Sequence, residues 1–288
     1  METTELLKKV RAIEIKTRGL SNQIFSGEYH SAFKGRGMAF SENREYQHGD
    51  EIRTIDWNVT ARMNKPYVKV FEEERELTAM ILVDVSGSGQ FGTHEKLKKS
   101  LITELTAVLA FSAIQNNDKI GVILFSDQIE LFIPPKKGKS HILRIIRELI
   151  DFTPQHSGTD ITAAIDYLNS VIKKRCICFL ISDFADSGFD QSLKIANRKH
   201  DIVALRVKDQ REESLPNVGL VQFKDLETGQ QKWVNTALKS VRDNYRKKAI
   251  KRDLKLKDLF LRAGVDHIDL YTDRNYVRPL MTLFKKRG

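Results

Sequence analysis

The chain has 288 residues, of which 41% are hydrophobic and 30% are charged, and its formal net charge is +10. This balance supplies enough apolar side chains for a core and excludes a generally disordered chain. No window approaches the roughly 18 consecutive apolar residues of a spanning helix, and the first stretch has no apolar block of signal-peptide length. The two cysteines, Cys176 and Cys178, exclude a disulfide scaffold and a zinc site. We therefore expect a soluble, cytoplasmic protein.

The first 76 residues differ in pattern from the rest of the chain. They are polar and punctuated by glycines, and the segment PYVKVFEEE alternates as a short strand does. From Leu77 onward, apolar β-branched runs alternate with helical patterns. We therefore predict an N-terminal helix and β-rich appendage over residues 1–76, followed by a larger domain over residues 77–288.

The predicted elements of the larger domain begin with the buried strand LTAMILVDVS and a long, mostly apolar helix after it. The next strand is KIGVILFSD, and IELFIPP is predicted to pair with it as an edge strand that ends at the two prolines, Pro134 and Pro135. The segment SHILRIIRELI is predicted as a helix capped by Ser140. Further elements follow in order: a helix from about 160 to 173, the strand RCICFLISD, a helix near 191–198 and the strand DIVALRV.

The last part of the chain contains four more elements. They are a hairpin around LVQFKDLETGQQKWV with its turn at Thr228-Gly229, a long helix from about 236 to 263, the strand HIDLYT and a short final helix. Strands this apolar, each followed by a helix, are typical of a mostly parallel sheet with helices on both faces. The predicted fold is therefore an open α/β sheet preceded by the β-rich appendage.

The excess positive charge is concentrated in the long helix. The stretch from Lys239 to Arg262 holds ten Lys/Arg and three Asp/Glu, and the C-terminal Lys285, Lys286 and Arg287 add three more charges. A nucleic-acid-binding protein normally combines such a face with a recognisable motif or stacking aromatics, and the sequence has neither. We expect the apolar stripe of this helix to pack on the sheet while its lysines point to water. The stripe comprises Val241, Tyr245, Ala249, Leu256, Leu259, Phe260 and Ala263.

Three loops are rich in small oxygen donors. Asp84, Ser86 and Ser88 follow the first apolar strand, Thr159 precedes a helix, and Asp183 ends another strand. Ligands of open α/β sheets bind beyond the carboxyl ends of the strands, where such loops converge. Hard oxygens without histidine or thiolate suit Mg²⁺, with Mn²⁺ or Ca²⁺ as alternatives. Taken singly, each residue has the alternative role of a helix cap, as Thr159 and Asp160 illustrate.

In order and context, Asp84-x-Ser86-x-Ser88, Thr159 and Asp183 resemble the metal-ion-dependent adhesion site of von Willebrand factor A-type domains. The similarity covers about residues 77–207. It implies that these five residues hold the metal, directly or through bound waters. Many relatives have Met after the second serine, where this chain has Gly89, and this difference changes no ligand.

The appendage narrows the resemblance to one family. The run from Arg44 to Asp50, with sequence REYQHGD, resembles the signature of the bacterial domain of unknown function 58 family. The signature continues with Arg53, Ile55-Asp56-Trp57 and Ala61-Arg62, and the preceding Gly35-Arg36-Gly37 and Phe40 also fit it. Many relatives carry N-terminal membrane helices, for which this chain has no sufficiently apolar segment.

The charges around Trp57 also allow an interpretation from the residues themselves. We expect Asp56 to form a mostly buried pair with Arg53 or Arg62, with Trp57 as the apolar anchor above it. The alternative is a surface that docks a partner, because aromatic residues and arginine also dominate binding hot spots.

The resemblance implies a metal-dependent protein-binding adaptor that works beside a MoxR-type AAA+ ATPase in assembling or remodelling protein complexes. The partner would supply an acidic side chain as a metal ligand. The alternatives are a Mg-dependent hydrolase or phosphoryl-transfer enzyme and, less favoured, a nucleic-acid-binding protein. An aspartate phosphatase would need a second acid two residues after Asp84, where Ser86 stands, and the chain has no Walker A sequence. The nearest base is the lone loop residue His156. We therefore expect no enzymatic activity.

Overall fold

The computed structural model describes residues 11–14, 16–17, 19–20, 38–73, 77–87, 98–224 and 230–287. The chain divides into two compact units, one comprising Lys34–Leu77 and the other comprising Met1–Phe33 and Thr78–Gly288. We call them the small unit and the sheet unit. The division into domains 1–76 and 77–288 stays a prediction.

The small unit is a two-stranded antiparallel sheet with a connecting segment. Strands β1 (Met38–Glu45) and β2 (Tyr67–Glu73) pair along their length. The chain between them forms a turn with Gly49 at φ +110°, a 3₁₀ turn over Ile52–Thr54 and the helix α1 (Trp57–Met63). Glycine suits the turn because a side chain at such a φ is strained.

The expected buried pair beneath Trp57 is absent from this unit, so that prediction is wrong. The side chain of Trp57 is 66% exposed, and Arg53 and Arg62 are exposed as well. Asp56 instead caps α1, where its Oδ1 accepts hydrogen bonds from the backbone N–H groups of the next turn at 3.0 and 3.3 Å. A carboxylate that stabilises a helix N-terminus needs no buried arginine.

The sheet unit is built on six strands, which are β3 (Thr78–Asp84), β4 (Lys119–Phe125), β5 (Ile129–Lys136), β6 (Ile177–Ser182), β7 (Asp201–Lys208) and β10 (Asp266–Tyr271). Their order across the sheet is β10-β7-β6-β3-β4-β5. Five of them run parallel, and β5 is an antiparallel edge strand paired with β4. The predicted mostly parallel sheet and its antiparallel edge strand are thereby confirmed. The predicted end of that strand is wrong, because β5 continues through Pro134 and Pro135 to Lys136, which pairs with Ile120.

Helices cover both faces of this sheet. They are α2 (Lys98–Gln115), α3 (Lys139–Asp151), α4 (Ile161–Val171), α5 (Asp190–Lys199), α6 (Lys239–Ala263) and α7 (Val277–Arg287). The central strands are almost entirely buried, with alternate side chains packing on opposite faces. On one face Cys178 and Leu180 belong to a core with α4, α5 and α6. On the other, Phe179 contacts the ring of Phe284 in α7.

Some local expectations need correction or lie outside the described residues. Ser140 does not cap its helix, because α3 begins at Lys139 and Gly138 occupies the cap position. The predicted hairpin is present as β8 (Leu220–Lys224) and β9 (Gln231–Asn235), whereas its turn at Thr228-Gly229 lies outside the described residues.

The basic helix packs as expected from its apolar stripe. Ala249, Leu256 and Phe260 of α6 are buried, and most of its lysines and arginines are exposed. The outward face also carries Leu254 and Leu261, the latter 79% exposed. No helix in the described part of the chain is long and apolar enough to cross a membrane.

The described residues between 11 and 20 are helical and belong to the sheet unit, in which ion pairs join them to two other helices. Lys16 pairs with Glu104 of α2 at 2.6 Å, and Glu14 pairs with Lys139 of α3 at 2.5 Å. The N-terminal helix that the sequence predicts therefore packs within the sheet unit.

Candidate metal-binding site

The centre of the candidate site is a buried carboxylate at the end of β3. Asp84 is 4% exposed, and its two oxygens have separate partners. Oδ1 accepts the backbone N–H of Ser86 at 3.0 Å, and Oδ2 accepts the hydroxyl of Ser182 at 2.6 Å. Because β6 lies beside β3, Ser182 at the end of β6 reaches Asp84 directly. Two neighbouring strand ends thus fix the orientation of this carboxylate.

The electrostatic setting of Asp84 is unfavourable for its charge. Burial, and next the carboxylate of Asp183, raise the pKa of Asp84 well above its ordinary range, while hydrogen bonds from Ser182 and Ser86 oppose the rise. A buried pair of carboxylates is stabilised when a cation lies nearby. The site therefore has the electrostatic character of a cation site.

Asp183 follows β6 and is also held by hydrogen bonds. Its Oδ1 accepts the backbone N–H of Ala185 at 3.1 Å, and its Oδ2 accepts the ammonium of Lys98 at 2.9 Å. The next residue, Phe184, has φ 57°, and its N–H donates to the Ser182 hydroxyl at 3.0 Å. The tight turn after β6 thus presents Ser182 and Asp183 at the same edge of the sheet as Asp84.

Lys98, at the start of α2, is the cation of this arrangement. Its side chain is 2% exposed and forms ion pairs with Asp183 and with Glu212. Although burial lowers the pKa of Lys98, the carboxylates of Asp183 and Glu212 raise it overall, so the amine carries its charge. Glu212 lies in a short 3₁₀ turn (Gln210–Glu212) that follows β7.

The loop that carries Thr159 packs against the loop after β3. The carbonyl of Ser157 accepts the N–H of Gly87 at 3.0 Å, and the N–H of Asp160 donates to the carbonyl of Ser126 at 2.8 Å. Asp160 caps α4 by accepting the N–H of Ala163 at 2.8 Å. The capping role considered for Thr159 and Asp160 therefore belongs to Asp160.

The structure brings together three of the five sequence-predicted ligands, Asp84, Ser86 and Asp183. Thr159 lies on the adjoining loop, and Ser88 is outside the described residues. Sequence reasoning missed Ser182, Lys98 and Glu212. Ser182 stands next to Asp183 and its position at the strand end was a usable signal, whereas no motif marked the other two.

The donor set fits a hard divalent cation only in part. The Asp84 carboxylate and the Ser86 hydroxyl are oxygen donors of the kind that Mg²⁺ prefers. On the opposite side, however, the ammonium of Lys98 already lies at hydrogen-bond distance from Asp183. In the described ranges there is no group of three or more His, Cys, Asp or Glu side chains arranged to hold a metal. A divalent ion would therefore depend on Asp84, hydroxyl groups and water.

Two cavities adjoin the site. A cavity of about 110 Å³ is lined by Asp84 and Ser86 together with Ile102 of α2 and Leu149 of α3. A larger one, of about 360 Å³, extends from Asp183 to the inner face of α6. The loop residue His156 is exposed, and its Nδ1 lies 3.5 Å from Oδ1 of Asp127.

Comparison with known proteins identifies the family to which the chain belongs. A family model described as "Protein of unknown function DUF58" matches residues 42–254. The uncharacterized protein Rv1480 of Mycobacterium tuberculosis is 26% identical over 292 residues, covering 100% of this chain and 91% of that protein.

Among solved structures, an aerotolerance-related membrane protein from Bacteroides fragilis is similar, with 16% identity and a TM-score of 0.50 over 73% of this chain and 99% of that one. The von Willebrand factor A domain of SpRpn10 has 11% identity and a TM-score of 0.38, over 73% of this chain and 95% of that domain. The match over residues 42–254 spans most of the chain, and the protein therefore belongs to the DUF58 family.

Proposed function

We propose that the protein is a metal-dependent protein-binding adaptor. Its site comprises Asp84, Ser86, Ser88, Thr159 and Asp183. The observation that carries the proposal is the Asp84 carboxylate, which is buried, oriented by Ser86 and Ser182 and adjacent to a second carboxylate at the carboxyl edge of the sheet. Ligand sites of open α/β sheets form at this edge.

The chemistry of the donors suggests how a partner binds. A bound Mg²⁺, for which Mn²⁺ or Ca²⁺ are alternatives, supplies an open coordination position that an acidic side chain of the partner fills. Asp84 and Ser86 provide oxygens whose orientation is set before binding, because the backbone of Ser86 and the hydroxyl of Ser182 hold the carboxylate. Preorganised donors reduce the ordering cost of binding.

The family resemblance suggests the partners. We propose a MoxR-type AAA+ ATPase and its client as the proteins bound, in the cytoplasm, with the ATPase as the energy source. Within the chain we propose two domains, residues 1–76 and 77–288, of which the second holds the metal site.

We propose a binding function rather than an enzymatic one. A hydrolase that used the same metal would need a general base close to it. His156 is exposed and interacts with Asp127, and each oxygen of Asp84 accepts a hydrogen bond that orients the carboxylate. We expect no hydrolytic turnover of phosphate esters in the presence of Mg²⁺.

Titration calorimetry with Mg²⁺ and Mn²⁺ tests the site directly. In Asp84→Asn the shape is retained and the charge is lost, so the affinity for either ion should fall more than tenfold. Asp127→Asn is the matched control, because this carboxylate lies on a neighbouring loop and is 49% exposed. An affinity that is equal in wild type and Asp84→Asn would contradict the proposal.

A pull-down of a purified MoxR-type ATPase, with Mg²⁺ or with excess chelator, tests the adaptor role. Capture should require the divalent ion and should be lost in Asp84→Asn. Capture that persists unchanged in chelator would assign docking to another surface and leave the site without a binding role.

A further inference from the structure

The buried ammonium of Lys98 lies on the Asp183 side of the candidate site. Its Nζ is 2.9 Å from Oδ2 of Asp183, and the side chain is 2% exposed. Lysine is rarely buried to this extent unless it is paired. The sequence resemblance assigns Asp183 to a divalent ion, whereas in the structure a cation of the chain itself contacts this carboxylate.

The two cations cannot share Asp183 without cost. A divalent ion at this carboxylate would stand within a few ångströms of the ammonium in a site that excludes most water, where repulsion between like charges is strong. Lys98 therefore has to leave Asp183 before the carboxylate can act on a metal, directly or through water.

Glu212 is the acceptor to which Lys98 can turn. It already pairs with Lys98, so the ammonium need not become unpaired when it leaves Asp183. Glu212 is itself held in place, because its Oε2 accepts the backbone N–H of Asp209 at 3.4 Å in a capping box. Asp209 is anchored by the hydroxyl of Thr272 at 2.9 Å.

We infer that Lys98 is a built-in competitor of the metal: it neutralises Asp183 when no divalent ion is bound and is retained by Glu212 when one is. This inference rests on the proposed metal site. Lys98 then controls the affinity of the site for divalent ions, although it is not itself a metal ligand.

The inference predicts opposite effects for two substitutions. Lys98→Met removes the competitor, so the affinity for Mg²⁺ and Mn²⁺ should rise at least tenfold. Glu212→Gln removes the alternative partner of Lys98 and holds the ammonium on Asp183, so the affinity should fall several-fold. In the double variant the Glu212→Gln effect should disappear, because no ammonium remains to be retained.

Titration calorimetry on the full chain measures all four proteins. Lys208→Met is the matched control, because Lys208 is also 2% exposed and lines the same 360 Å³ cavity as Asp183, yet it pairs with Asp253 instead. Its metal affinity should stay within twofold of wild type. Lys98→Gln provides a second neutral variant if Lys98→Met folds poorly, and the metal-induced shift in melting temperature should be larger in either variant than in wild type.

The outcomes separate the inference from the proposed function. Metal binding in wild type with no gain in either Lys98 variant, or a gain in Glu212→Gln, would overturn the inference and leave the metal site in place. If no variant binds a divalent ion, the proposed metal site fails and the inference fails with it, since Lys98→Met is the variant expected to bind most tightly.

Discussion

The two compact units use charged residues in different ways. In the small unit, Arg44 holds Asp50 through two hydrogen bonds of 2.8 and 2.7 Å at the surface, where they close the turn after β1. In the sheet unit, Lys98 and Lys208 are buried at the carboxyl edge of the sheet and each contacts several carboxylates. Exposed pairs contribute little to stability, whereas breaking a buried pair is costly. The comparison suggests that charge in the small unit shapes loops and charge in the sheet unit builds a site.

The two units also differ in their apolar residues, several of which are exposed in the small unit. Ile52, Trp57 and Met63 are all largely exposed on or next to the family signature. They lie outside any core, and Val68 is the one fully buried apolar side chain among residues 42–70. These exposures favour the partner-docking alternative for the signature, which stays a prediction.

The largest expected effect concerns the packing of α6 on the sheet unit. Phe260 is fully buried and contacts the rings of Phe184 and His267 at 5.1 and 4.9 Å between centroids. Phe260→Ala should reduce the free energy of unfolding by about 3–5 kcal/mol, because it leaves a cavity in the core. Leu261→Ala, at the neighbouring exposed position, should change it by less than about 0.5 kcal/mol. Urea denaturation compares the two, and similar losses would show that α6 does not rest on the core as described.

The second effect is a dependence of the free energy of unfolding on pH. It originates at His200, which directly precedes β7 and so lies at the amino ends of the parallel strands. Burial, followed by the charges of Lys199 and Arg175, lowers the pKa of His200 to about 4. In the unfolded chain this residue becomes protonated near pH 6.5. Its contribution to the free energy of unfolding is therefore fully present above that pH and is lost as the pH falls from about 6.5 to 4. The loss should reach up to about 3 kcal/mol.

Denaturation midpoints measured across this pH window test the assignment to His200. The slope should be clearly smaller in His200→Asn, and His156→Gln, at an exposed loop position, is the matched control. A slope that is the same in wild type and His200→Asn would assign the acid sensitivity to other groups.

The third effect is the loss in free energy of unfolding when an ion pair is removed, and it should differ between the two units. Lys208→Met leaves Asp253 and Glu213 without their ammonium partner, and the free energy of unfolding should fall by about 2–3 kcal/mol. The loss is smaller than for a fully buried pair because Arg206 still contacts Asp253. Arg44→Met should cause no change that urea denaturation resolves. A large loss for Arg44→Met would contradict the contrast between the units.

The smallest effect concerns the two aspartate caps. Asp160→Ala removes the cap of α4 in the sheet unit and should reduce the free energy of unfolding by about 1 kcal/mol. Asp56→Ala removes the cap of α1, and the result should be faster hydrogen exchange at the backbone amides of Asn58 and Val59. Exchange that stays unchanged would show that α1 does not depend on this cap.

Much of the fold follows from the pattern of apolar residues along the chain. The runs that form β3, β6 and β7 are apolar on both faces, which is what a parallel sheet covered by helices requires. The same local reasoning was wrong at Asp56 and Ser140. Both lie at helix starts, where one residue decides whether a side chain caps the helix or points elsewhere.

The sequence alone also determined which loops carry oxygen donors, because the end of an apolar strand can be recognised locally and the ends of parallel strands share one edge. Only the tertiary structure decided which cation stands among them. Lys98 and Asp183 are 85 positions apart, and Glu212 lies in a turn beyond another strand. No periodicity or motif connects residues at such separations. Their contact arises because α2 begins beside the turn after β6, and the charge balance of the site is therefore a property of the folded sheet.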